Sequence, residues 1–285
     1  MKHLIFLLFP VICFAQEKQE SELVFDKVYY ECEDKWVAFP KADADTSYVL
    51  GFIYLDESAG FTFNLEKRFE ILESGEYLAQ EKITEASVKI RLGPQTSPLA
   101  IIEADKLSEL GLPAVPEWLK FYKEIEDTVS SLVRRGYHYN HVGASSIAIP
   151  ILEKAYKKEP QAEGLEFELA YAYNATEKYE MAIRVLREAI RNDDKNYFFF
   201  RELGYALIRV GQVEKAEEVY LKGIALSDDD FQKSEMAINM VQAYYQLNDY
   251  KKLKKWAKLT RKYAEKDSQY LEYLKRFEKN IKIRR

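Results

Sequence analysis

The sequence predicts an α+β protein, in which an N-terminal antiparallel β domain is followed by a C-terminal α-α superhelix of repeated helix pairs. Three observations support this prediction. Up to about residue 104, short apolar runs rich in Tyr, Phe, Val and Ile alternate with turn-forming residues, which is typical of strands. Beyond Pro116, apolar residues recur three and four positions apart, as on an amphipathic helix. This helical part also repeats itself every 34 residues.

Composition and charge limit the classes of protein to which the chain can belong. Of its 285 residues, 47% are hydrophobic and 31% are charged, with 8 Pro and 11 Gly, which excludes a collagen, a long disordered chain and a multi-pass membrane protein. The formal net charge is -5, so a uniformly basic surface for nucleic acid is excluded as well. We therefore expect a globular protein of about two domains with no nucleic acid partner.

The first residues predict a signal peptide over residues 1–15. Lys2 precedes the apolar run Leu4–Phe14, which is well short of the roughly 20 residues that a membrane-spanning helix needs. Ala15 is a small residue suited to the cleavage position. This segment resembles the start of exported bacterial proteins, so we expect export to the periplasm or secretion. The alternative is a lipoprotein anchored through Cys13, although the residues before it lack the small side chain that such processing prefers.

Residues 16–115 are predicted to form the β domain. The candidate strands are Val24–Glu31, Lys35–Phe39, Tyr48–Leu55, Gly60–Leu65, Phe69–Leu72, Val88–Leu92 and Leu99–Glu103. The breaks between them supply Asp, Ser, Gly and Pro, which favour turns, and they are too short for the crossover helices of a parallel sheet. Cys32 stands among aromatic residues, and we expect it to be a buried thiol.

The 34-residue period lies within residues 116–285, the predicted helical domain. Four columns of small or apolar side chains keep this period through three copies: Gly136, Ala170 and Gly204; Ala148, Ala182 and Ala216; Leu152, Leu186 and Tyr220; and Ala155, Ala189 and Gly223. Large apolar residues precede the small residue of the first column, as Phe200 and Leu203 precede Gly204. Small residues at a fixed period indicate positions where neighbouring helices touch.

These residues resemble the pattern of the tetratricopeptide repeat (TPR) family, in which each repeat is two antiparallel helices. The resemblance implies repeats at about 129–162, 163–196, 197–230 and 234–267, with a capping helix at about 268–283 that covers the open end of the stack. It also implies a protein–protein interaction or scaffold module, in which the first helix of each repeat lines a concave groove. A partner segment, either a peptide or part of a protein, would bind in that groove.

The family's groove columns select twelve residues of this chain. They are Tyr137, Asn140, His141, Phe167, Tyr171, Asn174, Phe198, Arg201, Tyr205, Arg209, Gln242 and Tyr245. Aromatic rings together with amide and guanidinium groups suit a partly polar peptide. Arg201 and Arg209 can pair with carboxylates, which favours an acidic partner. The alternative is that several of these rings only pack the inner surface and bind nothing.

The candidates for catalysis or metal binding are few. After removal of the signal peptide only His138 and His141 remain as histidines, and their spacing of three would place both on one helical face, where a carboxylate could complete a metal site. The alternative is that both histidines end the first repeat's first helix and face solvent or the groove. No catalytic or nucleotide-binding motif is present, so we expect neither an enzyme nor a cofactor nor a metal. The competing hypothesis is an enzyme or carbohydrate-processing accessory with its site in the β domain.

The C-terminal end is strongly basic. From Lys251 to Arg285 the chain carries 14 Lys and Arg against 4 Asp and Glu. Such a surface can contact acidic lipid headgroups, anionic glycans or an acidic partner. Peripheral binding to the envelope through this end is therefore a further hypothesis, and a solvated face without a partner is its alternative.

Overall fold

The computed structural model describes residues 23–82, 86–123 and 128–283. The predicted signal peptide and Cys13 lie outside the described residues. Among the helices that are described, none combines the length and the apolar character that a bilayer span requires.

The β domain is built on one antiparallel sheet, as predicted. Its strands are β1 (Lys35–Phe39), β2 (Tyr48–Asp56), β3 (Gly60–Ile71), β4 (Tyr77–Lys82), β5 (Val88–Arg91) and β6 (Ala100–Ile101). The order across the sheet is β4-β3-β2-β1-β6, and β5 also pairs with β3. The first half of the long strand β3 pairs with β5 and its second half pairs with β4, so the two short strands share one edge.

Three of the predicted strands differ from the structure. Val24–Glu31 is not a strand: it makes an isolated bridge from Lys27 to Leu99 and then turns into the 3₁₀ helix Tyr29–Cys32. This helix buries Cys32 completely, and burial raises the pKa of its thiol to about 11, as expected for an inert cysteine. The two strands predicted within residues 60–72 are one continuous strand with a β-bulge. Strand β4 was missed altogether.

The two faces of the sheet pack against different parts of the chain. One face carries Trp36, Phe52 and Tyr54, which pack against Trp118 and Tyr122. These two rings lie in the segment formed by helix α1 (Lys106–Glu109), the 3₁₀ helix Glu117–Leu119 and helix α2 (Lys120–Lys123). The opposite face carries Val37, Ile53, Phe61 and Phe63, which belong to the same core as the helices that follow. The sheet is therefore covered on both sides.

The rest of the chain alternates helices and short turns, which confirms the predicted helical repeat fold. The helices are α3 (Val129–His141), α4 (Ser145–Lys158), α5 (Leu165–Ala175), α6 (Tyr179–Asn192), α7 (Tyr197–Arg209), α8 (Val213–Leu226), α9 (Asp230–Gln246), α10 (Tyr250–Tyr263) and α11 (Gln269–Ile283). Side chains cap several of them: Asp229 Oδ1 accepts from the backbone N–H of Phe231 at 2.8 Å. Asp229, within the acidic run 228–230, therefore caps the start of α9.

The small residues of the repeat lie where helices touch. A Cβ atom at Gly136 would come within 2.3 Å of the Leu152 side chain, and one at Gly204 would come within 2.2 Å of the Tyr220 ring. Both contacts join the first helix of a pair to the second helix of the same pair. In both, the glycine belongs to the same column of the 34-residue pattern. The matched positions therefore act as predicted, by letting paired helices approach closely.

Two carboxylates attach the sheet to α3. Glu33 accepts hydrogen bonds from Lys123 at 3.1 Å, from Arg135 at 3.2 Å and from the Tyr139 hydroxyl. Glu57, in the turn between β2 and β3, accepts from Arg134 Nε at 2.7 Å. These bonds supplement the apolar contact between Phe61 and Tyr139, whose ring centroids are 5.2 Å apart. The first repeat is thus held to the β domain by polar and apolar contacts together.

Candidate functional site

The first helices of successive pairs stand side by side. Helix α3 contacts α5, α5 contacts α7, and α7 contacts α9. We call the surface formed by these four helices the inner wall. It carries all twelve residues that the sequence proposes for partner binding, because each of those residues lies on α3, α5, α7 or α9.

A cavity of about 230 Å³ opens on the inner wall between α5, α7 and α9. We call it the wall cavity; its lining comprises Tyr171, Asn174, Ala175, Arg201, Glu202, Tyr205, Glu235 and Asn239. Four of these were predicted from the sequence, namely Tyr171, Asn174, Arg201 and Tyr205. The acidic residues Glu202 and Glu235 and the amide of Asn239 were not. The structure therefore brings part of the predicted set together and adds carboxylates to it.

The other predicted residues lie around the wall cavity or away from it. Tyr137 and His141 stack on each other on α3, with ring centroids 5.8 Å apart. Phe167 and Phe198 form an edge contact at 5.5 Å next to Arg201. The remaining members are Asn140 on α3, Arg209 at the end of α7, and Gln242 and Tyr245 on α9, where Tyr245 packs against Phe277 of the last helix. The twelve residues are therefore spread along the wall and do not form one cluster.

Arg201 is held in place by contacts within the protein. Its Nε and Nη2 donate to Glu202 Oε1 at 3.1 and 2.8 Å, and its Nη1 donates to Gln232 Oε1 at 2.5 Å. The guanidinium also lies over the Phe198 and Phe167 rings, 5.2 and 5.6 Å from their centroids. Because its fork already meets a carboxylate and an amide oxygen, Arg201 has little capacity left for the carboxylate of a partner.

Arg209 is also engaged. Its Nε donates to the Tyr179 hydroxyl at 2.9 Å, and its guanidinium lies 5.3 Å from the centroid of the same ring. The nearest carboxylate is that of Glu177 at 3.9 Å. The side chain is 44% exposed, so this arrangement is a weak one in water. Both arginines thus already contact side chains of this chain, and neither is an isolated cation available to an acidic ligand.

Two buried asparagines repeat the same contact one period apart. Asn140 Nδ2 donates to Glu168 at both its backbone oxygen, at 2.9 Å, and its carboxylate, at 2.8 Å. Asn174 Nδ2 makes the same pair of bonds to Glu202, at 3.2 and 2.9 Å. In each asparagine the other amide atom, Oδ1, is buried without a hydrogen-bond partner in the described structure. A buried acceptor without a donor is costly, so the inner wall has two oxygens that a donor would stabilise.

The inner wall is rich in carboxylates that are poorly solvated. Burial raises the pKa of Glu168, and the negative charge of Glu202 raises it further against the opposing hydrogen bond from Asn140. Burial likewise raises the pKa of Glu235, whose ion pair with Arg201 is long, at 3.9 Å. Glu202 and Glu235 thus share one guanidinium. The inner wall is therefore better suited to a ligand group that donates hydrogen bonds or carries positive charge than to an acceptor or an anion.

The histidines do not form a metal site in the described structure. His138 is buried, and its Nε2 lies 2.9 Å from the backbone oxygen of Glu57, so it joins the first repeat to the β domain. His141 is exposed and stacks on Tyr137. Within residues 23–82, 86–123 and 128–283 no group of three or more His, Cys, Asp or Glu side chains is arranged to hold a metal ion.

Comparison with known protein families identifies the helical part. A family model described as "YpiA-like, C-terminal tetratricopeptide repeats" matches residues 164–230. This range contains α5 to α8, two complete helix pairs with the 34-residue period. Residues 164–230 therefore contain tetratricopeptide repeats. The match ends before α9, and it does not include the β domain. No curated protein sequence matches the chain significantly.

Solved structures with a similar arrangement of helices include other TPR proteins. TTC0263, a thermophilic TPR protein in Thermus thermophilus, is 19% identical with a TM-score of 0.45, over 56% of this chain and 84% of that one. MamA from Desulfovibrio magneticus RS-1 is 20% identical with a TM-score of 0.45, over 53% of this chain and 85% of that one. MamA MSR-1 is 20% identical with a TM-score of 0.43, over 56% of this chain and 91% of that one. Identities and TM-scores this low do not indicate a shared function.

Proposed function

We propose that the protein is a non-catalytic binding or scaffold module whose TPR array holds a segment of a partner protein on the inner wall. The observation that supports this most is the wall cavity, in which the exposed rings of Tyr171 and Tyr205 flank the buried amide of Asn174. Aromatic rings give contact area at small entropic cost, and a buried amide gives directional hydrogen bonding. The cavity is small, so it fits a few side chains of an extended segment.

The charges of the wall favour a partner segment that donates hydrogen bonds. Glu168 and Glu235 are carboxylates with raised pKa values, and Asn174 Oδ1 is a buried acceptor without a donor. A lysine, an arginine or the backbone N–H groups of an extended strand would satisfy such groups. An acidic partner, which Arg201 and Arg209 first suggested, is less favoured because both guanidinium groups already donate to side chains of this chain.

Export of the protein is part of the same proposal. Its support is the sequence alone: the basic start and the apolar run Leu4–Phe14, both outside the described residues. Peripheral contact with the envelope through the basic C-terminal end stays a prediction, for which binding that weakens steeply with added salt would be the sign. The enzyme hypothesis for the β domain gains no support from its principal cavity, whose described lining contains no carboxylate.

A selection from a random peptide library tests the groove. We expect peptides that bind the wild-type protein to be enriched in Lys or Arg and in aromatic residues. Glu235→Gln should weaken a selected peptide about tenfold, since a hydrogen bond to a charged group contributes roughly 1.5–3 kcal/mol. The matched control is Glu188→Gln on the outer helix α6, whose side chain is 51% exposed. Affinity can be measured by fluorescence anisotropy and folding by thermal melting.

The contrary outcomes of this experiment are distinct. Equal loss of affinity in Glu235→Gln and Glu188→Gln would contradict a specific role for Glu235. A double variant, Tyr171→Ala with Tyr205→Ala, tests the position of the binding site without changing any charge. Tyr273→Ala on α11 is its control. If the double variant binds selected peptides as well as wild type does, the inner wall is not the binding site.

The pH dependence of peptide binding has a definite sign. A cationic segment needs Glu168 and Glu235 in their charged form, and burial raises the pKa of both carboxyl groups. They therefore take up protons at a higher pH than exposed carboxyl groups do. As the pH is lowered from neutral to about pH 4, where ordinary carboxyl groups titrate, we expect the affinity to begin to fall before exposed carboxyl groups take up protons. Anisotropy titrations across this range measure it, and an affinity that stays constant would argue against the buried carboxylates as the contact.

A further inference from the structure

A second, larger cavity lies in the β domain. Its volume is about 890 Å³, within the range of roughly 300–1,000 Å³ typical of small-molecule sites. Its apolar wall includes Phe39, Val49, Phe63, Leu65 and Ile90, and the loop 92–97 closes one side. We call it the sheet cavity. Within the described chain every lining residue belongs to the β domain, so the sheet cavity is separate from the inner wall of the TPR array.

The strand register explains why an apolar sheet face has a cation at its rim. Val49 pairs with Arg68 and Gly51 pairs with Leu65, so Arg68 and Leu65 lie on the same face although they are three positions apart in β3. Strict alternation would place them on opposite faces. The β-bulge after Leu65 shifts the alternation by one residue. The bulge therefore brings a guanidinium to the edge of a surface that is otherwise apolar.

The two arginines of the sheet cavity have no carboxylate partner in the described chain. Arg68 makes one long hydrogen bond, from Nη1 to Ser47 Oγ at 3.4 Å, and Arg91 makes none. By contrast, the partly buried Arg135 and Arg201 each contact a glutamate, at 3.2 and 2.8 Å. Among the residues that the structure describes, the lining also contains no Asp or Glu. In a chain whose formal net charge is -5, the sheet cavity is a local site of positive charge.

We propose that the sheet cavity binds a free fatty acid, with the hydrocarbon chain along Phe39, Phe63 and Leu65 and the carboxylate at Arg68. The perpendicular rings of Phe39 and Phe63, 4.9 Å apart, offer an apolar surface whose burial against a hydrocarbon chain is favourable. Arginine binds a carboxylate through two parallel hydrogen bonds, which fixes the orientation of the ligand. The sheet cavity thus favours a ligand that has an anionic head group and a single apolar chain.

Ligand displacement from the purified protein tests the proposal. A fluorescent dansyl fatty acid is the reporter, and palmitic acid, hexadecanol and hexadecyltrimethylammonium are the competitors, because they share a chain and differ in charge. Palmitic acid should bind about tenfold more tightly than hexadecanol, since hydrogen bonds to charged groups contribute roughly 1.5–3 kcal/mol. The cation should bind most weakly. Vesicles of phosphatidylglycerol serve as the membrane arm of the experiment.

Variants connect the affinity to named residues. Arg68→Gln should lower the affinity for palmitic acid about tenfold and leave that for hexadecanol unchanged. Ile90→Glu, at a wall position that is 48% exposed and paired with Phe63, should weaken palmitic acid by placing a negative charge beside its hydrocarbon chain. The control is Arg191→Gln, an arginine of α6 that is 69% exposed and lies outside the sheet cavity. Thermal melting confirms that each variant is folded.

Several results would overturn the proposal. They are no displacement of the reporter by palmitic acid, equal affinity for acid and alcohol, unchanged affinity in Arg68→Gln, or binding to vesicles with no binding of the free acid. If Arg68→Gln fails to fold, the comparison of acid with alcohol on the unaltered protein still decides. None of these measurements involves the TPR array, so they are independent of the peptide experiment.

Discussion

Replacing Gly204 by alanine is expected to lower the free energy of unfolding by about 2 kcal/mol, even though alanine favours a helix over glycine by about 1 kcal/mol. The added Cβ would lie 2.2 to 2.7 Å from three atoms of the Tyr220 ring. That ring is completely buried, and Asn239 donates to its hydroxyl at 3.3 Å. Because protein atoms enclose the ring, it cannot move aside without displacing its neighbours. Urea-induced unfolding, followed by circular dichroism, measures the loss.

The repeat itself supplies the rescue for this variant. At the equivalent positions of the preceding repeat the chain has Ala170 and Leu186, both fully buried. Gly204→Ala combined with Tyr220→Leu reproduces that pair, and we expect it to recover part of the stability that Gly204→Ala loses. Gly93→Ala is the control, because a Cβ there meets nothing within 4 Å. If Gly204→Ala is as stable as Gly93→Ala, the close approach of α7 and α8 is not a constraint.

The helical half was predictable because one physical requirement recurs three times. Each pair of helices needs a small residue opposite a large one, and the columns of Gly136 and Leu152 record that requirement at a fixed period. The contacts made by the side chains of the inner wall were harder to predict from the sequence. Arg201 was expected to be free for a ligand, but its neighbour Glu202 neutralises it. A signal existed in the sequence: Asn140 with Glu168, and Asn174 with Glu202, keep the same spacing one period apart.

The β half was harder to predict because its signals come from distant residues. The charged run Glu66, Lys67, Arg68 lies between two predicted strands, yet in the structure it is inside β3. Lys67 Nζ donates to the backbone oxygen of Leu110 at 3.1 Å, and Glu66 pairs with Lys82 at 3.0 Å. Such partners stabilise charged residues within a strand, and local propensity cannot reveal them. The bulge that they accompany also brings Arg68 to the rim of the sheet cavity, which the sequence pattern did not indicate.

Loss of the Glu33 carboxylate is expected to have the largest effect on stability. Glu33→Ala should lower the free energy of unfolding by about 3 kcal/mol, because removing one partner of a buried ion pair leaves the remaining charges poorly compensated. The carboxylate is 12% exposed and accepts from Lys123 and Arg135. Asp34, 2.9 Å from Lys123 Nζ, offsets part of the loss. The measurement is urea-induced unfolding near neutral pH.

An exposed ion pair provides the control for Glu33→Ala. Glu278 pairs with Arg261 at 2.6 Å between side chains that are 36% and 49% exposed. Because exposed pairs contribute roughly 0–1 kcal/mol, Glu278→Ala should change stability little. Equal losses in Glu33→Ala and Glu278→Ala would contradict the assignment of Glu33 as the polar link between the sheet and α3.

The pH dependence of Glu33 gives a second, independent readout. Burial alone raises the pKa of its carboxyl group, but Lys123, Arg135 and the Tyr139 hydroxyl together outweigh burial and hold the pKa below its ordinary value of 4.5. The folded state therefore binds this proton less readily than the unfolded state does. Its contribution to stability is complete above about pH 4.5 and is lost as the pH falls through the lower, folded-state value. The stability difference between wild type and Glu33→Gln should accordingly shrink in acid, and a difference that stays constant with pH would show that the ion pairs do not stabilise the fold.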